Sequence, residues 1–162
     1  MGDTVGDGGW TPRVTTPDEI VASAPYLEWG LLVAVRAEDP IRSAADLEDR
    51  RVGHYDDPVV TRALAALGRG RFKTYGSVSA MFADLETGAL DAVIFDSVHV
   101  RWRVAHDPSL RAVGEPLNRL GYHFGLRRED TALFARVQAA IKDLVASGEM
   151  EKIRRKWEGS TP

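Results

Sequence analysis

The chain contains no cysteine among its 162 residues. That absence removes disulfide frameworks, thiolate zinc sites and cysteine nucleophiles together. An excess of positive charge is also missing: 24 acidic side chains outweigh 21 basic ones, and the sequence pI is near 5.8. A nucleic-acid binder normally carries a basic face, so no nucleic-acid partner is expected. The pairs Arg50–Arg51, Arg127–Arg128 and Arg154–Arg155 lie among acids and read as solvated surface. Long apolar runs are absent as well. The longest runs from Leu31 to Val35, far short of the ~20 residues a membrane helix needs. The opening stretch holds no apolar segment of the ~7–15 residues typical of a secretory signal.

Catalytic signatures are equally scarce. His54, His99, His106 and His123 lack metal-ligand spacing, and no G-x-S-x-G elbow, P-loop or G-x-G-x-x-G occurs. No metal, cofactor or enzymatic role is therefore expected. His99 and His106 stand two helical turns apart, a spacing common on a surface face.

What is present is a globular composition, 44% hydrophobic and 28% charged, in a length that suits one domain or two small lobes. Residues 1–16, rich in Gly and Thr, read as loop or irregular strand. Leu31–Arg36 is a buried strand candidate. Ser43 is placed to cap a helix with Asp46 in its first turn. From residue 51 strands and helices alternate. Arg51–Tyr55 is a strand, and Asp57–Pro58 offers a cap followed by proline at the first helical position. Val60, Leu64 and Leu67 recur at helical spacing before Gly68. Phe72–Tyr75 is the next strand; Ser77 caps a helix carrying Val78, Met81, Phe82 and Leu85 on one face. Asp91–Phe95 is a third strand, Ser97 can cap a third helix, and Leu110–Val113 is a fourth strand. This alternation implies a parallel α/β layer built from right-handed crossovers. Beyond it, Tyr122–Leu126 reads as one strand. A helix follows with Leu133, Val137, Ile141, Leu144 and Val145 in one stripe, then a short helix with Met150, Ile153 and Trp157.

In open α/β sheets, ligands bind outside the carboxyl ends of the strands. Asp56 and Asp57 follow one strand there, and Asp96 follows another. Helix N-termini favour anions, so a carboxylate at one either caps the helix or receives a cation. Asp57, ahead of Pro58, suits capping. Asp96 is the stronger ligand candidate, because Ser97 can cap beside it and a carboxylate after so apolar a strand needs a partner. Trp10, Trp29 and Trp102 either fill the core or stack on a ligand. Three acids on one sheet edge also describe a phosphoacceptor receiver domain with Asp96 as acceptor. The later Ser or Thr and Lys of that arrangement are not found at the following strand ends.

Several strings in order resemble the family 3 extracellular solute-binding proteins, the polar amino-acid receptors of ABC transporters. They are Ser23-Ala-Pro-Tyr26 with Gly30–Val35, Ile41–Leu47 with Arg51-Val-Gly53, and Leu85–Asp96 with its Gly88 and Asp91-Ala-Val-Ile. Val113–Leu117, Gly121–Gly125 and Gly148–Trp157 complete the run. The resemblance implies a type II periplasmic-binding-protein-like α/β fold. One doubly wound parallel lobe would span 34–120, and an incomplete second lobe would be made of 1–33 and 121–162. The opening β-α-β-α stretch of that lobe would precede Met1, so sheet edge and apolar helix faces should be exposed. The implied function is extracytoplasmic binding of a small polar solute for an ABC importer permease or a sensor domain, in the periplasm or outside the cell.

Two departures bear on the ligand. The family's carboxylate-gripping Arg would fall near Thr15 or Thr16, with Arg13 nearest, and Asp56-Asp57-Pro58 replaces its G-T-T turn. The Asp that receives the ligand ammonium is retained as Asp96. The resemblance therefore implies a cationic or neutral polar ligand, amine-bearing and held by Asp96. Tyr26, Trp10 and Trp29 would form walls, with Asp56, Asp57 and Arg13 tuning charge. A degenerate lobe that binds nothing is the alternative.

Overall fold

A computed structural model describes residues 18–68 and 70–158. In chain order its strands and helices are β1 (Ile20–Ala22), β2 (Leu27–Trp29), β3 (Leu31–Arg36), β4 (Arg51–Tyr55), α1 (Pro58–Leu67), β5 (Arg71–Tyr75), α2 (Val78–Glu86), β6 (Ala92–Asp96), α3 (Ser97–His106), β7 (Leu110–Val113), β8 (Leu120–Tyr122), β9 (Gly125–Arg127), α4 (Thr131–Ala146) and α5 (Glu149–Glu158). The chain forms two compact units: Met1–Glu28 with Leu120–Arg155, and Trp29–Arg119 with Lys156–Pro162.

The unit Trp29–Arg119 is a five-stranded sheet in the order β5-β4-β6-β3-β7. β4 runs parallel to β5 and β6, as the alternation predicts. β3 lies antiparallel between β6 and β7, so the sheet is mixed. Every residue of β3 from Leu31 to Val35 is buried. Its side chains alternate between two cores. Leu31, Val33 and Val35 join Ile41, Leu47 and the Val60 and Leu64 face of α1. Leu32 and Ala34 join Met81, Phe82 and Leu85 of α2 and Val100 of α3. A central strand covered on both faces has to be apolar throughout, which this run of residues satisfies. Phe82 has no solvent exposure, and burying a side chain of that kind contributes about 1.5–3 kcal/mol.

Local signals fix the helices. Asp57 accepts from the Val59 N–H at 2.7 Å with Pro58 at the first position of α1, and Gly68 closes that helix at φ 63°. The positive φ is strained for any side-chain-bearing residue. Ser77 accepts from the Ala80 N–H at the start of α2. Ser43 begins only a short 3-10 helix, Ala44–Leu47, where the Asp46 carboxylate accepts from the Ser43 N–H.

In the other unit, the strand read across Tyr122–Leu126 is two strands. β8 pairs with β2, and β9 pairs with β1. The break has a cause on the opposite side, because Pro25, between β1 and β2, has no N–H for a ladder. The Ala24 N–H donates instead to Gln138 Oε1 of α4 at 2.6 Å. Of the apolar stripe read on α4, only Ile141 is buried; Leu133, Leu144 and Val145 are exposed.

Candidate functional site

The site is best built from the register of β4 and β6. His54 stands opposite Ile94 in this parallel pair. Continuing along both strands brings Tyr55 beside Phe95, and their rings meet edge to face with centroids 6.2 Å apart. Asp56 follows β4 and Asp96 ends β6, so both lie at the carboxyl ends of these neighbouring parallel strands. Asp56 is exposed, and its N–H donates to the Tyr75 carbonyl, which holds the end of β4 against β5. Asp57, one residue on, serves as the α1 cap.

Asp96 occupies a different position from the one its sequence suggests. It is itself the N-cap of α3: Oδ1 accepts from the Val98 N–H at 2.7 Å and the His99 N–H at 3.3 Å. Ser97, read as the cap, lies inside the helix and is buried. Its hydroxyl accepts from the Gly30 N–H at 3.1 Å, and its own N–H donates to the Gly30 carbonyl at 2.8 Å. Backbone dihedrals decide between the two residues, since only Asp96 has the non-helical ψ, 128°, that a cap requires.

Gly30 is thereby tied to the start of α3 and crowded from the other side. A Cβ at this position would lie 2.1 Å from the Asn118 carbonyl oxygen. The Leu31 N–H donates to the Asn118 side chain at 2.8 Å, and the Leu117 N–H donates to the Leu31 carbonyl at 2.7 Å. Two chain segments therefore cross at Gly30–Leu31 and Leu117–Asn118, next to the Asp96 edge. Asn118 is a positioning residue that the sequence pattern alone did not single out.

Aromatic rings back the edge. His99, half-buried on α3, meets Phe95 at 5.2 Å and Phe82 at 5.7 Å between centroids. Burial lowers its pKa below 6.5 although the Asp96 carboxylate pulls the other way; Arg103 reinforces the lowering. His99 is thus largely neutral at neutral pH. Trp102 stacks on His106 at 4.6 Å, so this face of α3 is an aromatic surface rather than a metal site. His54 is a satisfied core histidine: Nδ1 is 2.9 Å from the Tyr55 carbonyl and Nε2 is 3.1 Å from the Thr74 hydroxyl. A carbonyl only accepts, so in the neutral ring Nδ1 carries the proton and Nε2 accepts from Thr74.

The remaining sequence candidates are dispersed. Tyr26 stacks on Phe124, centroids 4.5 Å apart, and burial raises its phenol pKa. Phe124 leaves much of its ring exposed beside it and is the aromatic that sequence reasoning passed over. Trp29, expected as a wall, is partly buried and packs against the Leu31–Val35 core. Trp10 and Arg13 lie outside the described residues. Among the described residues, no group of His, Asp or Glu is placed to hold a metal ion, and no helix is long and apolar enough to cross a membrane.

Comparison with known proteins agrees with this architecture. The L-cystine-binding protein TcyJ of Escherichia coli (strain K12) is 25% identical over 146 residues, covering 85% of this chain and 53% of its own length. The chain thus spans about half of that relative. A second substrate binding domain from Streptococcus pneumoniae superposes with a TM-score of 0.80 at 22% identity, over 93% of this chain and 70% of that one. An ancestral arginine-binding protein bound to glutamine superposes with a TM-score of 0.69 at 26% identity, over 87% and 64%. These folds rule out the receiver-domain alternative, whose sheet is wholly parallel, whereas β3 runs antiparallel here. With its family model matched over residues 16–160, the chain belongs to the bacterial extracellular solute-binding proteins, family 3.

Proposed function

We propose that this chain forms part of an extracytoplasmic receptor that captures a small amine-bearing solute, a cationic amino acid in the first instance, and passes it unchanged to an ABC importer or a sensor domain. The observation that carries the reading is the placement of Asp56, just after β4, and Asp96, at the end of β6, at the carboxyl ends of neighbouring parallel strands. Carboxylates gathered at one sheet edge favour a cation over an anion, and a cation there gains charge-assisted hydrogen bonds. Capping α3 through Oδ1 holds the Asp96 rotamer at this edge. The N-terminal end of α3 alone would favour an anion; the neighbouring acids reverse that preference. Cystine, arginine and glutamine in the names of similar proteins are all amino acids, which supports the ligand class. The Gly30–Asn118 crossing supplies a rigid floor beside the carboxylates.

Isothermal titration of the full chain with L-arginine, L-lysine, L-glutamine and L-glutamate tests the reading. Arginine and lysine bind and are recovered unaltered, and glutamate binds weakest. Glutamate binding as tightly as arginine would overturn the ligand class, and turnover of any of them would overturn the receptor role.

A further inference from the structure

Three of the four histidines have a ring nitrogen close to a backbone carbonyl. Nδ1 lies 2.9 Å from the Tyr55 carbonyl in His54, 2.7 Å from the Trp102 carbonyl in His106 and 2.7 Å from the Ser23 carbonyl in His123. His99 is set differently. Its ring meets Phe95 of β6 edge to face at 5.2 Å, Phe82 of α2 at 5.7 Å and Trp102 at 6.2 Å between centroids. Its backbone N–H reaches Asp96 Oδ1 at 3.3 Å, so this imidazole belongs to the very turn that the Asp96 carboxylate caps. A half-buried imidazole among rings resists protonation, and the charge beside it that favours protonation is Asp96.

The charged groups on the neighbouring elements are largely engaged. Arg103 of α3, which disfavours a second cation, pairs with Glu86 of α2 at 2.5 Å. Asp84, also on α2, takes Lys73 at 2.9 Å and the Tyr75 hydroxyl. Arg36 of β3 donates to the Leu85 and Leu90 carbonyls, and Arg111 of β7 donates to those of Asp39 and Ile41. His106 stacks on Trp102. From β4, the Tyr55 ring meets Phe95, and the exposed Asp56 follows at the same carboxyl edge.

We propose that His99 is an acid-sensing residue of this edge: once protonated, its imidazolium competes with the solute's cation for the Asp96 carboxylate, so a cationic solute is held at neutral pH and released in acid. The role rests on the cation-receptor reading of the Asp56 and Asp96 edge. Its direction follows from charge. An imidazolium on the first turn of α3 offsets the Asp96 carboxylate and repels an incoming guanidinium or ammonium, whereas the neutral ring does neither. Packing against Phe95 and Phe82 holds the ring in place, so the change is one of charge at a fixed position. Coupling of this kind is reciprocal: a bound cation makes His99 harder to protonate by the same factor as protonation weakens the cation.

The test is isothermal titration of the full chain with L-arginine at pH about 7.5 and about 5, on either side of the imidazole range and at one ionic strength. The Kd is expected to rise about fivefold or more at the lower pH. In His99→Gln the ratio of the two Kd values falls toward one, and any ratio that persists belongs to the carboxylates. The second readout needs no variant. The His99 ring is followed by NMR across the same pH range, and saturating arginine should lower its titration midpoint by about 0.7 of a pH unit or more, the counterpart of a fivefold coupling. Arginine that binds at neutral pH with an unchanged Kd in acid, an acid loss as large in His99→Gln as in the parent, or a His99 midpoint that arginine leaves in place would each overturn the proposal while sparing the receptor reading. Failure of arginine to bind at neutral pH would overturn both.

Discussion

One pair of substitutions separates the observed role of Asp96 as a helix cap from its proposed role as a ligand carboxylate. Its Oδ1 takes two backbone N–H groups of α3, and the proposal gives its charge to the ligand. Asp96→Ala removes both functions. Loss of a cap of this kind costs about 0.5–2 kcal/mol of stability. Asp96→Asn keeps an oxygen for the cap, and asparagine caps nearly as well as aspartate, so this variant loses only the helix-terminus charge effect of about 0.3–1 kcal/mol. The ligand consequence is the reverse of a graded one: both variants lack the carboxylate. A hydrogen bond to a charged group contributes about 1.5–3 kcal/mol, which is roughly a 10- to 150-fold weakening of Kd for L-arginine. Urea unfolding measures the first effect and isothermal titration the second. Asp96→Asn is expected to be nearly as stable as the parent yet to bind arginine as poorly as Asp96→Ala. Arginine affinity that survives in Asp96→Asn would refute the assignment and leave Asp96 as a helix cap only.

Other expectations follow from the same geometry. Gly30→Ala puts a Cβ against the Asn118 carbonyl oxygen and should cost about 1–3 kcal/mol or more by denaturant unfolding; parental stability would show that the crossing is not tight. Phe82→Ala empties a fully buried site and should cost about 3–5 kcal/mol in the same assay. His99, with its folded pKa lowered, binds fewer protons than in the unfolded chain. Stability should therefore fall as pH drops below 6.5 toward the folded value, and His99→Gln should flatten that dependence. A His99 midpoint at or above 6.5 by NMR titration would contradict the burial argument.

Much of the Trp29–Arg119 unit was legible because several signals agree at each element. Asp57, Pro58 and Gly68 punctuate the same segment in which Val60 and Leu64 repeat, and the apolar run of β3 is too short for a helix. The direction of β3 was not legible, since an apolar strand covered on both faces looks the same run either way. The exchange between Asp96 and Ser97 has a similar origin: both residue types cap helices, and the choice rests on a ψ angle and on where Gly30 lies. β1, β2, β8 and β9 are three residues each, too short for any period to declare itself. The α4 stripe was legible in Leu133, Ile141 and Val145, but amphipathicity states only that a face seeks cover. At the site, acids after β4 and β6 were readable from the alternation, whereas Asn118 was not, because its role depends on a crossing of distant segments.

The most direct measurement is an amide NMR titration of the full chain with L-arginine, followed at Asp56, Val98 and His99, with L-glutamate as the control. The account predicts saturable shifts at these three amides for arginine, absent in Asp96→Asn and far smaller for glutamate. Shifts that avoid Val98 and His99, or that glutamate reproduces, would contradict it.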